Sequence, residues 1–281
     1  MFLALAPAPL PPKPFPPLPA AAIPTIRGEG WAPPPPQPTM ALERLYRKQR
    51  LAASYRLFAR WGYDMGGAGH ITVRDPEWPD HFWVNPAGVA FGHIRVSDLM
   101  LVNHHGEIVE GGEIQRLSRA AFAIHATLHA ARPDVIAAAH SHSLYGKSWS
   151  ALGRLLDPLT QDSCAFYESH AIFREFSGVV LDTSEGEKIA AALGPDNKAI
   201  ILQNHGLLTV APSLEAAVWR YYAMENAAQS QLLAEAAGAV QPVPHDVARH
   251  TAAQMGSDIG GFYAFQPYWD VVARQEPDLF D

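Results

Sequence analysis

Short blocks of apolar residues, separated by polar residues, proline and glycine, mark out the helices and strands of this chain. Blocks with a helical period alternate with β-branched blocks of strand length. The predicted elements are, in chain order, a helix over 40–61, strands at 70–74, 82–84 and 100–102, a helix at about 119–131, a strand at 135–139, a helix that begins at 184, a hairpin of 199–202 with 207–210, and a helix from 213 to 237. Because hairpins occur among the alternating elements, we expect a mixed or antiparallel sheet with helices on both faces.

Residues at the ends of the predicted helices support these bounds. Thr39 and Ser118 are suitable N-caps for the first two helices. The segment 184–187 has the spacing of a capping box, and Gly238 ends the last of these helices.

The two ends of the chain differ from its middle. Residues 1–38 hold 14 of the 25 prolines, a composition that favours polyproline II and cannot pack a core. We expect a disordered extension there, with a proline-rich ligand for a partner as the alternative and Met40 as an alternative start. The first residues lack the basic stretch of a secretory signal. Residues 241–281 show weak periodicity and an aromatic end, which we expect to dock on 39–240 or on a neighbouring subunit.

Length, charge and cysteine content exclude several classes of protein. At 281 residues, the chain has room for one large domain or two small ones. A net charge of −7 offers no basic surface for nucleic acid, and no stretch approaches the ~18 apolar residues of a membrane span. The single cysteine, Cys164, excludes an intramolecular disulfide framework. We therefore expect a cytoplasmic protein without nucleic-acid or membrane partners.

The tripeptide His140-Ser141-His142 follows the apolar run 135–139 and carries the strongest chemical signal in the chain. Residues i and i+2 of a strand point to one face, so both imidazoles can converge on one ion. His205, at the turn of the predicted hairpin, can supply a third nitrogen. Three protein nitrogens with open positions are typical of a catalytic metal site. Taken alone, the tripeptide is equally compatible with two polar residues at a strand end.

Four segments, in their order and spacing, resemble the class II aldolase/adducin family. They are 67–74, 85–89, 132–134 leading into the histidine tripeptide, and 204–206 with the helix that follows. The resemblance covers about residues 42–238 and implies a three-layer α/β/α fold around a mainly antiparallel sheet. It also implies a small-molecule substrate, a homotetramer with active sites at subunit interfaces, and a divalent metal held by His140, His142 and His205. Zinc is the expected ion, and Fe(II), Mn(II) and Co(II) are alternatives because imidazole accepts them too.

One stretch departs from the pattern of the sugar-phosphate aldolases in this family. Those enzymes carry a catalytic glutamate nineteen residues before the first metal histidine, and counting back from His140 reaches Ala121. Their phosphate-binding serines are missing as well, and the glycine loop ends in His70 rather than asparagine. Because an alanine cannot move a proton, we do not expect sugar-phosphate cleavage by the family's usual route.

Other polar residues are candidates for the missing catalytic role. Glu168 is the first choice, with Tyr167 and His170 as its neighbours, and a surface loop is the alternative for it. Lys147 follows the metal strand and can bind a substrate carboxylate, unless it is an ordinary surface lysine.

His125 and His129 lie four residues apart on the helix predicted before the metal strand, a spacing that also suits a metal ion. Members of the family often carry a histidine at the position of His125 without using it as a ligand. We therefore interpret both histidines as packing residues.

Three functional hypotheses remain open. The first is a metal-dependent carbon–carbon lyase, of aldolase or decarboxylase type, for a non-phosphorylated carbonyl or hydroxy-acid compound. The second is a non-heme Fe(II) oxygenase that cleaves an arylpyruvate or mandelate-type compound, because 145–147 and 161–167 resemble an aminocoumarin-pathway branch of the family. The third is a non-catalytic, adducin-like scaffold, which has no need for open metal positions.

Overall fold

The computed structural model describes residues 36–281, which fold around one eight-stranded sheet. The strands are β1 (His70–Arg74), β2 (Phe82–Val84), β3 (Met100–Val102), β4 (Ile108–Glu110), β5 (Ala137–Ser141), β6 (His170–Phe173), β7 (Ala199–Leu202) and β8 (Gly206–Ala211). The helices are α1 (Met40–Arg60), α2 (Arg119–Ala131), α3 (Leu144–Ser150), α4 (Thr183–Leu193), α5 (Leu214–Ala237), α6 (His245–Met255) and α7 (Asp258–Gln275). Within this part of the chain, no helix has the length and hydropathy that a membrane span requires. The expected proline-rich extension lies outside the described residues, apart from 36–38.

The strands follow the order β4-β3-β2-β1-β5-β8-β7-β6, and every neighbouring pair is antiparallel except β6 with β7. The expectation of a mainly antiparallel sheet is therefore confirmed. β1 and β5 lie at the centre of the sheet, where His70 is paired with His140. The predicted metal strand is thus hydrogen-bonded on both sides, which fixes the position of its histidine.

Alternate residues of the central strands enter two different layers. Ile71 and Val73 of β1 belong to the larger apolar core, which also contains residues of α1, α5 and α7. Ala138 of β5 belongs to a second core on the opposite face, which contains Ile124 of α2 and Ile189 of α4. Because side chains of a strand alternate between faces, these two cores place helices on both sides of the sheet.

Two element boundaries differ from the prediction. The strand predicted at 135–139 is β5 and runs to Ser141, because β8 pairs with it as far as the Ser141–Leu207 register. His140 therefore lies inside the strand, and only His142 lies beyond its end. The helix predicted to begin at 184 is capped by Asp182, whose carboxylate accepts a 2.7 Å hydrogen bond from the backbone of Ser184.

The end of the chain, after α5, packs on the same subunit. α7 lies against α1 and α5, and its Phe265 and Trp269 are buried in the larger core. α6 lies beside the short helical segment Ser163–Phe166. The aromatic residues of the tail therefore extend the core of residues 36–240.

Candidate metal centre

Three histidines converge at one point, from strand β5, from the segment that follows it and from the turn between β7 and β8. His140 is the fourth residue of β5, His142 follows the end of that strand, and His205 occupies the turn between β7 and β8. One nitrogen from each ring lies within 4.8 Å of the other two. The ring centroids are 4.7 to 5.2 Å apart. The structure brings the three predicted residues together, at separations from which they could hold one metal ion.

The hydrogen bond of His140 determines which of its nitrogens is free. Its Nδ1 lies 2.8 Å from the carbonyl oxygen of Leu207, and a carbonyl can only accept, so Nδ1 carries the hydrogen. Nε2 is left with a lone pair, is buried, and has no hydrogen-bond partner among residues 36–281. Buried polar atoms are normally satisfied, so this nitrogen calls for a ligand. A carbonyl-oriented imidazole with a free second nitrogen is how metal-binding histidines are usually held.

Burial keeps all three rings neutral. Burial, followed by the charge of neighbouring rings, holds the pKa of His140 well below its ordinary value. Burial also lowers the pKa of His205 to about 4 and, with the nearby Lys147 ammonium, lowers the pKa of His142. Since only a neutral imidazole has a lone pair to donate, the three rings are ready at pH 7 to bind a cation.

The segments that carry His142 and His205 approach each other closely because a glycine occupies their contact. A Cβ on Gly206 would lie 2.7 Å from the carbonyl oxygen of Ser141, so a side chain there would push the strands apart. Asn204 has a φ of 59°, a left-handed conformation that asparagine tolerates better than most residues. The hairpin turn that presents His205 therefore depends on both residues.

A buried carboxylate fixes the segment that follows His142. Glu225 of α5 accepts hydrogen bonds from the hydroxyl of Ser143 at 2.5 Å and from the backbone N–H groups of Tyr145 and Gly146 at 2.8 and 2.6 Å. Burial raises the pKa of this carboxyl, while the three donors favour its charged form. Glu225 thus acts as the cap of α3 and anchors the chain directly after His142.

His142 and His205 line a cavity of about 760 Å³, and the buried His140 ring packs against both of them behind the lining. Its wall combines small and apolar residues with two cationic ones, and no carboxylate is found among the described residues that line it. These residues are Gly67, Ala68, Gly69, His70, Ser118, Arg119, Ala120, His142, Lys147, Ala151, Phe176, Gly178, Val179, Val180, Leu181, Asn204 and His205. The cavity therefore suits an anionic compound with an apolar body.

Of the four residues proposed as catalytic, Lys147 lines this cavity and the other three do not. The Glu168 carboxylate accepts two 3.0 Å hydrogen bonds from Arg249 of α6. The Tyr167 hydroxyl lies 2.6 Å from Nδ1 of His245, also on α6. His170 accepts a 3.0 Å hydrogen bond from a backbone N–H through Nε2. Within one subunit, these three side chains hold the tail and the nearby loops together.

His70 is the cavity residue that the sequence noted only as a departure from the family. Its ring centroid lies 4.8 Å from that of His140, and its Nδ1 lies 2.7 Å from Nε2 of His125. His125 and His129 are buried, as expected for packing residues, and both also hydrogen-bond to Thr72. The sequence shows polar residues at alternate positions 70 and 72 and histidines one turn apart on the next helix, but it does not show that this helix packs across this strand.

Known proteins with similar sequences include two from Streptomyces species. The chain is 44% identical to a 4-hydroxy-3-prenylphenylpyruvate oxygenase/4-hydroxy-3-prenylbenzoate synthase of Streptomyces roseochromogenus subsp. oscitans, over 88% of each chain. It is 45% identical to the decarboxylase NovR of Streptomyces niveus, over 88% of this chain and 91% of the relative.

A solved structure has the same fold. The L-fuculose 1-phosphate aldolase from Glaciozyma antarctica PI12 superposes with a TM-score of 0.83 and 43% identity, over 89% of this chain and 97% of that one. The sequence profile of the Class II Aldolase and Adducin N-terminal domain matches residues 49–232, a range that contains all three convergent histidines. The chain therefore belongs to the class II aldolase/adducin family.

Proposed function

We propose that this protein is a metal-dependent lyase that breaks a carbon–carbon bond, of aldolase or decarboxylase type, in a non-phosphorylated carbonyl or hydroxy-acid compound. Its metal ligands are His140, His142 and His205. Zinc is our proposed ion, and Fe(II), Mn(II) and Co(II) are the ions that the same nitrogen set also accepts. Enzyme activity on small molecules is common in the family.

The observation that carries this proposal is the buried, unpartnered Nε2 of His140 beside two further neutral imidazoles at an open cavity. A purely structural protein has no reason to leave such a nitrogen without a partner in its interior. The hypothesis of a non-catalytic scaffold is therefore less well supported than the hypothesis of an enzyme.

The residues of the cavity indicate the class of compound. Lys147 and Arg119 provide positive charge, and Phe176, Val179 and Leu181 provide an apolar wall. This combination favours a carboxylate attached to an aromatic or prenylated body, which agrees with the phenylpyruvate in the name of one relative. Ala121 is buried on α2 and offers no proton-transferring group. The cavity thus supports a carboxylic acid better than a sugar phosphate.

When bound, a divalent cation polarises a carbonyl or hydroxyl oxygen and stabilises the negative charge that remains when the carbon–carbon bond breaks. Lys147 and Arg119 orient the carboxylate by charge, so that the bond to be broken lies near the histidines. Covered by a neighbouring subunit, the apolar wall excludes water from the reacting carbon.

Metal analysis and turnover test the proposal together. Protein purified without chelators is expected to hold one divalent ion per chain, and His140→Ala is expected to lose both the ion and turnover. Lys147→Met, which keeps the length of the side chain, is expected to retain the ion and to raise KM for arylpyruvates. Retention of metal and activity by His140→Ala would overturn the proposal, and cleavage of L-fuculose 1-phosphate in preference to carboxylic acids would overturn the substrate class.

A second candidate function is oxidative cleavage by Fe(II), because the relative at 44% identity is called an oxygenase. Three histidines leave open positions that also suit activation of O₂. Oxygen uptake by protein loaded anaerobically with Fe(II), in step with loss of an arylpyruvate or mandelate, would favour this reaction. Turnover without oxygen, at the same rate, would favour the lyase.

We also propose a homotetramer with the active sites at subunit interfaces. Phe176, Val179 and Leu181 at the cavity are 50%, 73% and 50% exposed, which is unusual for a cluster of large apolar side chains. A neighbouring subunit would cover them and complete the wall of the cavity. Light scattering is expected to give four times the mass of the chain. Val179→Asp, at this rim, is expected to lower that mass.

The roles of Glu168, Tyr167 and His170 in the reaction stay predictions. None of the three lines the cavity of its own subunit. In an oligomer, they would therefore have to act at the cavity of a neighbouring subunit. Turnover by Glu168→Gln tests the first of them. A loss of more than about 100-fold, the effect of removing a general acid or base, would assign Glu168 to the reaction.

A further inference from the structure

The ammonium group of Lys147 lies against the sulfur of a methionine at the metal cavity. Its Nζ is 3.1 Å from Sδ of Met65, on the loop that leads from α1 to β1. Lys147 itself lines the cavity from α3, the helix that follows the segment carrying His142. The contact therefore joins two elements that border the same cavity.

The position of the Met65 loop is fixed by its contacts with the metal strand. The carbonyl oxygen of Tyr63 accepts a hydrogen bond from the hydroxyl of Ser141. The carbonyl oxygen of Met65 accepts one from the N–H of Ala68 at 3.1 Å, which closes a turn. At the end of the loop, a Cβ on Gly69 would lie 2.8 Å from Oγ of Ser141. The loop thus lies directly against the residue between the two histidines of the tripeptide.

Met65 holds Lys147 by a weak interaction. A thioether sulfur is a poor hydrogen-bond acceptor and carries no charge, so the ammonium group can leave it for a better acceptor. A carboxylate in the cavity is a better acceptor, because a hydrogen bond between two charged groups is stronger than one to a neutral group. Met65 therefore keeps Lys147 at the cavity without competing with the proposed compound.

Met65 is also open to oxidants. It is 51% exposed and Met40, at the start of α1, is 57% exposed, whereas Met100 and Met224 are fully buried. Cys164, the other oxidisable residue, is buried, and burial raises the pKa of its thiol. Because exposed thioethers and exposed thiolates are the groups that peroxides oxidise, a peroxide reaches Met65 and Met40 before these three.

We propose that Met65 is a site of reversible oxidation, and that its sulfoxide holds Lys147 and prevents it from binding a carboxylate in the cavity. The effect on the compound rests on the proposed function, because it requires Lys147 to bind that carboxylate. Oxidation turns an apolar side chain into a polar one, and the sulfoxide oxygen is a much stronger acceptor than the sulfur. The ammonium group then stays on Met65, and the three metal ligands are unchanged.

The oxidation is a transfer of two electrons from sulfur to a peroxide. The sulfur lone pair forms a bond to one oxygen of hydrogen peroxide, and the oxygen–oxygen bond breaks. The proton on the transferred oxygen passes to the departing hydroxide, which leaves as water. A methionine sulfoxide reductase reverses the change with two electrons from a pair of thiols and releases the oxygen as water. Hydrogen peroxide is smaller than the proposed compound, so an oligomer that admits the compound to the cavity also admits the peroxide.

Peroxide treatment of the zinc-loaded protein, whose metal has no redox chemistry, tests the proposal. Among the described residues, mass spectrometry is expected to find sulfoxide at Met65 and Met40. The oxidised protein is expected to have a KM for arylpyruvates about fivefold higher or more, because a hydrogen bond to a charged group is lost. Its kcat and metal content are expected to be unchanged, and the reductase is expected to restore KM.

Two methionine variants separate the site from general oxidation. Met65→Leu keeps an apolar side chain of similar size and is expected to have a KM that peroxide does not change. Met40→Leu, the matched control, removes a methionine of similar exposure and is expected to respond as the unmodified protein does.

A second measurement needs neither substrate nor metal and so remains decisive if the proposed function fails. Acylation by an amine-reactive ester, followed by mass spectrometry, reports how available each lysine is. Oxidation is expected to slow acylation of Lys147 by about threefold or more, because the sulfoxide holds the ammonium group. Lys188, on α4 and paired with Glu175, is the internal reference and is expected not to change.

Three results would overturn the proposal. They are an unoxidised Met65 in protein whose Met40 is oxidised, unchanged acylation of Lys147 after oxidation, and an equal response of KM in Met65→Leu. Slower acylation of Lys147 with an unchanged KM would support the oxidation site and its contact, and would overturn the role of Lys147 in the proposed function.

Discussion

The five residues of β1 alternate between the two faces of the sheet, and the two faces have different surroundings. Ile71 and Val73 point into the larger core, where they are fully buried among apolar side chains. His70 and Thr72 point the other way, towards the histidines of α2, and are equally buried. One face of the strand thus stabilises the fold by excluding water, and the other by satisfying polar groups in the interior.

This difference shows why the site can be precise. A polar network in a buried layer is stable only when every member has a partner, so its geometry is fixed by its bonds. The apolar face tolerates changes of shape more readily, because its contacts have no direction. We therefore expect substitutions on the two faces of the sheet to affect different properties, and the predictions below separate them.

The largest expected effect on stability comes from the apolar face. Ile71→Ala removes a fully buried side chain beside α1, which is expected to lower the free energy of unfolding by about 2–5 kcal/mol. Metal stoichiometry of the protein that remains folded is expected to be unchanged. Urea denaturation and metal analysis of the same samples measure both properties. Loss of metal at full stability would show that the two faces of β1 are not independent.

The next effect concerns Glu225, the carboxylate that anchors the segment after His142. Glu225→Gln replaces one of the acceptor oxygens with a donor, which then faces either the N–H of Tyr145 or the N–H of Gly146 together with the hydroxyl of Ser143. Metal affinity is expected to fall about 10–100-fold, the usual cost of disturbing a group that positions a ligand. Competition with a chelator measures this change. Glu235→Gln, on the same helix but bonded to Arg154 near the surface, is the matched control and is expected to retain full affinity.

Many of the helix limits and the clustering of the three histidines could be predicted from the sequence, because they depend on local patterns. The helix limits at Thr39 and Ser118 follow from capping, and the hairpin that carries His205 follows from two apolar blocks around a turn. His140, His142 and His205 are then brought together by adjacent strands of one sheet. Clusters of side chains carried by neighbouring strands are therefore within reach of sequence reasoning.

Contacts between distant elements were not accessible in the same way. The distance from Glu168 to the cavity depends on α6, whose Arg249 binds that carboxylate, and weak periodicity gave no position for α6. The bond between His70 and His125 depends on how α2 packs across β1, which no local pattern specifies. Side chains that act across layers of the fold require the packing of those layers to be known.

Acid sensitivity distinguishes the histidine face from the apolar face. The pKa of His129 is about 3 in the folded protein, whereas an unfolded histidine has its ordinary value near 6.5. As the pH falls below about 6.5, the unfolded chain binds a proton at this position and the native protein does not. Stability is therefore expected to fall by about 1.4 kcal/mol per pH unit for this group, until the pH approaches 3.

His129→Gln is expected to make the free energy of unfolding less dependent on pH in this window, even if it lowers stability at neutral pH. The measurement uses chelator throughout, so that metal release does not contribute. His105→Gln, on an exposed turn, is the matched control for the substitution itself. An identical slope in His129→Gln and the unmodified protein would contradict the assignment.

The smallest effects come from two helix caps that have the same chemistry on opposite faces of the sheet. Thr39 caps α1 through the N–H of Leu42 at 3.2 Å, and Ser118 caps α2 through the N–H of Ala121 at 3.3 Å. Replacing either residue with alanine is expected to cost about 1 kcal/mol of stability. Only Ser118 also lines the metal cavity, so fraying of α2 there is expected to raise KM by up to about fivefold, the equivalent of 1 kcal/mol. An equal rise in KM for Thr39→Ala would mean that the apolar face controls the site as strongly as the histidine face does.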